Sequence, residues 1–217
     1  MLRPCAVSEL RMLTDIECAK QKIRLIIAGS QVPEDPCHAD NTLEWLLRLE
    51  PDADEALQLA ALAHDIDRAI ERIKVRRADF DNYDTFKAAH ARNSAEILRS
   101  ILTACGVKRN IVKEACRLVE LHEVGGDPSS DLLKDADSIS YFDVNLPLYF
   151  QREGWDETKR RSHWGYRRLT LRAQDIVKHI DHGDKELTRL LREVIHESVM
   201  LRLSPRHIFF DDLNSEL

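Results

Sequence analysis

No apolar run in this chain approaches the ~20 residues a membrane-crossing helix needs, and no secretory leader is visible at its start. The expectation is a cytoplasmic protein without a membrane partner. Glycine and proline are scarce, seven of each in 217 residues, and they fall between periodic segments rather than inside them. Few breakers between long periodic stretches point to helices with short connections. There is no internal repeat, no low-complexity tract and no alternating pattern that reads as a strand. Basic charge is not in excess either. The net charge of −6 argues against general nucleic-acid binding. The five cysteines, at 5, 18, 37, 105 and 116, form no C-x-x-C pair, and their odd number reads as reduced thiols filling small apolar sites.

What is present is helical spacing. Leu10, Leu13, Ile16, Ile23 and Ile26 predict a first helix over 8–28, stopped by Gly29. A loop with Pro33 and Pro36 leads to a second over 37–49, and Pro51 precedes a third over 53–75. An irregular polar stretch at 76–83 separates it from a fourth over 84–105, ended by Gly106. A fifth runs from about Ile111 to His122 before Gly125-Gly126, and a sixth carries Leu132 to Phe142 until Pro147 kinks or ends it. Two more are expected over 157–182 and 185–203, divided near Gly183, with a short tail at 204–217 containing Phe209 and Phe210. The fold class that follows is a single all-α domain, 1–217.

The third segment is the unusual one. From Leu57 to Ile66 it is apolar almost all round, with alanines at 56, 60, 61, 63 and 69. A helix without a polar face belongs in the middle of a domain. His64 and Asp65 nevertheless lie inside it. A carboxylate so placed needs a positive partner or a metal ion. The neighbouring segments each offer a further candidate: His38 at the start of the second, His90 in the fourth, His122 at the end of the fifth, and Asp135 and Asp137 in the sixth.

This order, H…HD…H…H…D, resembles the HD-domain superfamily of metal-dependent phosphohydrolases, over a core of about 37–142 with additional helices at 143–203. The family's closing aspartate follows an alanine and precedes a small and an aliphatic residue. Ala136-Asp137-Ser138-Ile139 matches this, which favours Asp137 over Asp135. The resemblance implies that His38, His64, Asp65 and Asp137 hold one metal ion, and that His90 and His122, with Asp65 bridging, hold a second. Mixed imidazole and carboxylate donors suit Fe, Mn, Co, Ni or Zn, one or two per chain. Such an ion would offset the buried carboxylates and lower the pKa of a bound water to about 7.

Alternatives stand beside each assignment. His64 and Asp65 alone would read as a buried hydrogen-bonded pair, and His122 as a helix C-terminal histidine. Arg68 occupies the place where some HD phosphohydrolases carry a catalytic glutamate; it is either a phosphate binder or the partner of Asp65, Asp67 or Glu71. Lys87, Ser94 and Lys134 join it as candidate substrate-binding residues. Asp65 and Asp67 are the candidate catalytic carboxylates. The run from Lys159 to Arg168, basic with Trp164 and Tyr166, is either an anion-recognition face or a solvated helix face packed through Trp164. The leading expectation is hydrolysis of a small phosphorylated metabolite or nucleotide. Behind it stand a mixed-valent di-iron oxygenase of the same fold and a non-catalytic ligand-sensing module.

Overall fold

The computed structural model describes residues 13–203. It is an all-α bundle, with no strand among the described residues. Helix α1 spans Asp15–Ile27, α2 Asp35–Leu49, α3 Glu55–Ala63, α4 Tyr83–Ala104, α5 Arg109–Leu121 and α6 Pro128–Ser140. A π turn at Tyr141–Asn145 leads into α7, Leu146–Arg168, followed by α8, Leu171–Val177, and α9, Lys185–Leu203. The expected start of the first helix at Ser8, and the tail with Phe209 and Phe210, lie outside the described residues.

Helix α3 is the hub. Leu59, Ala60, Ala61, Leu62 and Ala63 are completely buried, and α1, α2, α5 and α6 all pack against it. The alanines let these neighbours approach closely, and Leu59 and Leu62 fill the gaps between them. Burying each such leucine is worth about 1.5–3 kcal/mol. Helix α5 shows how the surrounding layer is built: Val112, Ala115, Cys116, Leu118 and Val119 are buried against the hub and α4.

The expected third helix over 53–75 does not run through. It stops at Ala63, where His64 caps it with helical dihedrals, and the chain turns away at Asp65, φ −104°, ψ 15°, before a short 3-10 turn at Ile66–Ala69. The reason is geometric. Consecutive residues of a helix project about 100° apart, so an unbroken helix could not aim both members of the doublet at one point. Pro147 also acts differently from expectation. It stands in the first turn of α7, where its missing N–H costs nothing. The expected helix over 157–182 is instead the second half of α7 plus α8. Gly154, at φ 78°, breaks α7 into two segments, a left-handed conformation that glycine adopts freely.

The cysteines require a further correction. Cys18 of α1 and Cys105, which caps α4, are joined as a disulfide with 5.9 Å between their Cα atoms, while Cys37 and Cys116 are free. No helix among the described residues is long and apolar enough to cross a membrane.

Candidate metal centre

Five elements converge beside the C-terminus of α3. His38 comes from the first turn of α2, His64 and Asp65 from the break after α3, His90 from α4, His122 from the cap of α5 and Asp137 from α6. His38, His64, His90 and His122 are all buried, at 3% exposure or less.

Their tautomers follow from what each Nδ1 faces. Nδ1 of His64 donates to the carbonyl of Ala61 at 2.9 Å, and Nδ1 of His122 to that of Val119 at 2.7 Å. Ser140 Oγ donates to the His38 carbonyl at 3.2 Å and so accepts from His38 Nδ1 at 2.9 Å. Each ring's proton is thus committed, and each Nε2 presents a lone pair inward. The consequences are unfavourable without a cation. Nε2 of His38 and Nε2 of His64 face each other at 3.2 Å. Nε2 of His122 is buried with no hydrogen-bond partner, though Glu123 Oε1 lies 3.0 Å away. Two lone pairs at such distances repel unless a proton or a metal ion lies between them. Metal–nitrogen bonds of about 2.1 Å to both His38 and His64 would subtend about 100° at the ion, close to tetrahedral.

The carboxylates complete two groups. Asp137 Oδ1 is 3.2 Å from His38 Nε2 and 3.5 Å from His64 Nε2, and donor atoms of His38, His64 and Asp65 all lie within 4.8 Å of one another. A second set, Asp65, His90, His122 and Glu123, is equally compact. Asp65 belongs to both, so it is placed to bridge. The electrostatics point the same way. Burial opposes ionisation of Asp65 and Asp137, yet the histidines and arginines around them hold both well below the usual carboxylate range. Burial alone would lower His64, but Asp65 and Asp137 raise it to about 9. The centre draws positive charge to itself.

Around these groups the remaining side chains fix positions. Asp67 faces His90 Nδ1 at 3.1 Å while Val75 N and Asn93 Nδ2 donate to its other oxygen at 3.0 and 3.1 Å. A carboxylate behind a histidine orients the ring and raises its basicity as a ligand. Asp67 thus positions His90, and it also lines the cleft. Buried Ser94 accepts from the backbone N–H of Asp67 at 3.3 Å and does not line the cleft. Lys134 pairs with Asp131 at 2.7 Å, outside the cleft. Asp135 receives Thr170 N at 2.9 Å and the Thr170 hydroxyl. It ties α6 to the start of α8, whereas Asp137 faces the histidines. Arg68 pairs with Asp65 at 2.7 Å and with Asp35 at 2.8 Å, and it also lines the cleft.

One residue at this centre, Glu123, escaped the sequence reading, and two more, Arg161 and Arg168, were marked only as members of the basic run. Glu123 is paired with Lys87 and, at 3.1 Å, with Arg168. Burial opposes its charge, but these cations and His122 hold it well below the normal range. Arg168 also donates to the His122 carbonyl at 2.8 Å and reaches Asp137 at 3.6 Å. Arg161 lies over the rings of Trp164 at 4.4 Å and Tyr141 at 5.3 Å. The basic run on α7 is thus split by its helical spacing. Arg161, Trp164 and Arg168 face the centre, while Lys159 pairs with Glu193 and Glu197 and Arg160 with Glu157.

A cleft of about 300 Å³ opens onto His90 and Asp67. Arg68, Lys74, Lys87, Arg152 and Arg161 contribute positive charge to it, and Tyr83, Phe86, Tyr141 and Tyr149 contribute aromatic walls. Burial works against the charge on Lys87, but Glu123 leads the groups that keep it ionised.

Fold and site together define an all-α protein with two adjoining His/carboxylate groups that could hold metal ions, the second of which reaches a cleft rich in positive charge through His90. The family model described as "Domain of unknown function (DUF4202)" matches residues 14–190, and the chain belongs to that family. No curated protein and no solved structure matched it.

Proposed function

We propose that this chain is a metal-dependent phosphohydrolase of the HD-domain type, acting on a small phosphorylated metabolite or nucleotide. The observation that carries the reading is the set of buried, inward-facing Nε2 lone pairs on His38, His64 and His122, set against Asp65, Glu123 and Asp137. His38, His64, Asp65 and Asp137 would hold one divalent transition metal ion; Asp65, His90, His122 and Glu123 would hold another. Bound there, such ions supply Lewis acidity, acidifying water to a pKa of about 7 and offsetting charge on phosphoryl oxygens.

The chain's own residues do the rest. Arg161 has no carboxylate within ion-pair distance among the described residues and lines the cleft, so its guanidinium is available to phosphate oxygens. Lys87 adds charge from the neighbouring wall while holding Glu123. Arg168 pins Glu123 and the His122 carbonyl, which keeps the second group assembled before substrate arrives. Tyr83 and Phe86 limit water on the side of His90.

The test is turnover of phosphomonoesters, nucleotides and dinucleoside polyphosphates by stripped protein reloaded with Mn, Co, Ni, Fe or Zn. Metal-dependent turnover that disappears in Asp65→Ala is expected; no turnover with any ion would overturn the reading. One feature favours a second reading, because an aspartate shared by two ligand groups also suits a di-iron oxygenase. About two irons per chain with consumption of dioxygen would replace hydrolysis by that alternative.

A further inference from the structure

Five cations line the cleft, and four of them are already engaged. Arg68 pairs with Asp65 and Asp35, Lys74 with Glu71 and Lys87 with Glu123. Arg152 pairs with Glu34 at 2.6 Å and Glu153 at 2.8 Å. The fifth, Arg161, has no carboxylate within ion-pair distance among the described residues and lies instead over Trp164 and Tyr141. A guanidinium held over aromatic rings keeps its in-plane N–H donors for an anion. The cleft also carries negative charge of its own, since Glu34 and Asp67 line it as well.

These pairings limit how much further negative charge the cleft takes. A phosphoryl group brings about 1.5 to 2 negative charges at pH 7, and charge taken out of water is costly unless a cation meets it. A cation that already balances a carboxylate has little left for a second anion. One phosphoryl group meets Arg161; another meets only engaged cations, with Glu34 and Asp67 beside them. The cleft, at about 300 Å³, is also at the small end of ligand sites. We infer that the substrate carries a single phosphoryl group, so that the chain hydrolyses phosphomonoesters in preference to the di- and triphosphates of the same alcohol, and that Arg161 is the residue that sets this limit. This rests on the phosphohydrolase reading of the site.

Metal-loaded full chain is assayed with AMP, ADP and ATP, and inorganic phosphate and pyrophosphate are titrated calorimetrically into the same protein. kcat/KM for AMP exceeds that for ADP and ATP by about tenfold or more, the worth of one charge-assisted contact, and pyrophosphate binds no more than about threefold tighter than phosphate. Arg161→Ala weakens phosphate binding by about tenfold or more. Glu71→Gln releases Lys74 from its ion pair at the cleft wall. It narrows the preference for AMP by about threefold or more and favours pyrophosphate over phosphate by a similar factor. Glu44→Gln makes the same change of charge in the exposed pair with Arg48 and leaves both comparisons unchanged. The proposal is overturned by ADP or ATP turned over as well as AMP, by pyrophosphate bound beyond that margin, by undiminished or absent phosphate binding where Arg161 is removed or present respectively, or by comparisons unmoved in Glu71→Gln. Should no ester be hydrolysed, the phosphohydrolase reading falls separately, and the phosphate and pyrophosphate titrations alone decide whether the cleft takes one phosphoryl group.

Discussion

Asp135 and Asp137 stand two residues apart on α6, and the structure assigns them opposite consequences. Asp137 faces His38 and His64 at 3.2 and 3.5 Å, so Asp137→Asn removes from the first ligand group the one anionic donor it does not share, and leaves the second, built on Asp65, His90, His122 and Glu123, in place. An ion that binds only the folded chain stabilises it by about 2.7 kcal/mol at a hundredfold excess over its Kd. For a chain of 217 residues each kcal/mol raises Tm by about 2–4 °C. Each ion therefore contributes about 5–11 °C of thermal shift. Stripped protein is titrated with each metal under scanning calorimetry, and the increment between metal-free and loaded samples is compared across variants. In Asp137→Asn the increment falls by one such step. Asp135→Asn lowers the metal-free Tm, because Asp135 binds the start of α8 through Thr170, yet retains the whole increment. A full increment in Asp137→Asn, or a lost one in Asp135→Asn, would refute the assignment.

Two further outcomes are expected. Arg161→Ala lowers kcat/KM for phosphate esters by about tenfold to a hundredfold through loss of a charge-assisted contact, measured on reloaded protein whose circular dichroism matches wild type. Asp127 caps α6 in a reciprocal capping box and pairs with Arg117 at 2.7 Å, so Asp127→Ala costs about 1 kcal/mol in denaturant unfolding. The Arg117 hydrogen bond chiefly holds Asp127 down at about 2. A carboxylate depressed in the folded state contributes stability above its unfolded value of about 3.9 and loses it as pH falls. Wild type and Asp127→Ala therefore converge in stability as pH drops toward about 2.

Much of this site could be read from sequence, because ligand identity and order along the chain survive without coordinates. The 64–65 doublet was marked by its apolar run, and His38, His90, His122 and Asp137 by residue type and an order along the chain that resembles the HD-domain pattern; all six converge. What sequence concealed has physical causes. Nothing in A-H-D-I-D-R breaks a helix locally, so the end of α3 at Ala63 is imposed by packing and by the demand that two consecutive side chains point together. Glu123 was hidden beside His122, at a helix end where a charged residue has an ordinary role in solvent. Arg161 and Arg168 were submerged in a basic run. Their separation of seven residues, two turns of α7, was the available signal that they share a face with Trp164. Glu34, in a loop between two prolines, offered no signal, since its burial and its pairing with Arg152 exist only in three dimensions.

The central claim is that a cation relieves the confrontation of the Nε2 atoms of His38 and His64. Anomalous diffraction from crystals of untagged protein, recorded at the absorption edges of the first-row metals, tests it most directly. The account predicts an anomalous peak about 2.0–2.2 Å from Nε2 of both His38 and His64, with Asp137 among its ligands. Metal-replete crystals with no peak there, and the two rings joined by a shared proton instead, would contradict it.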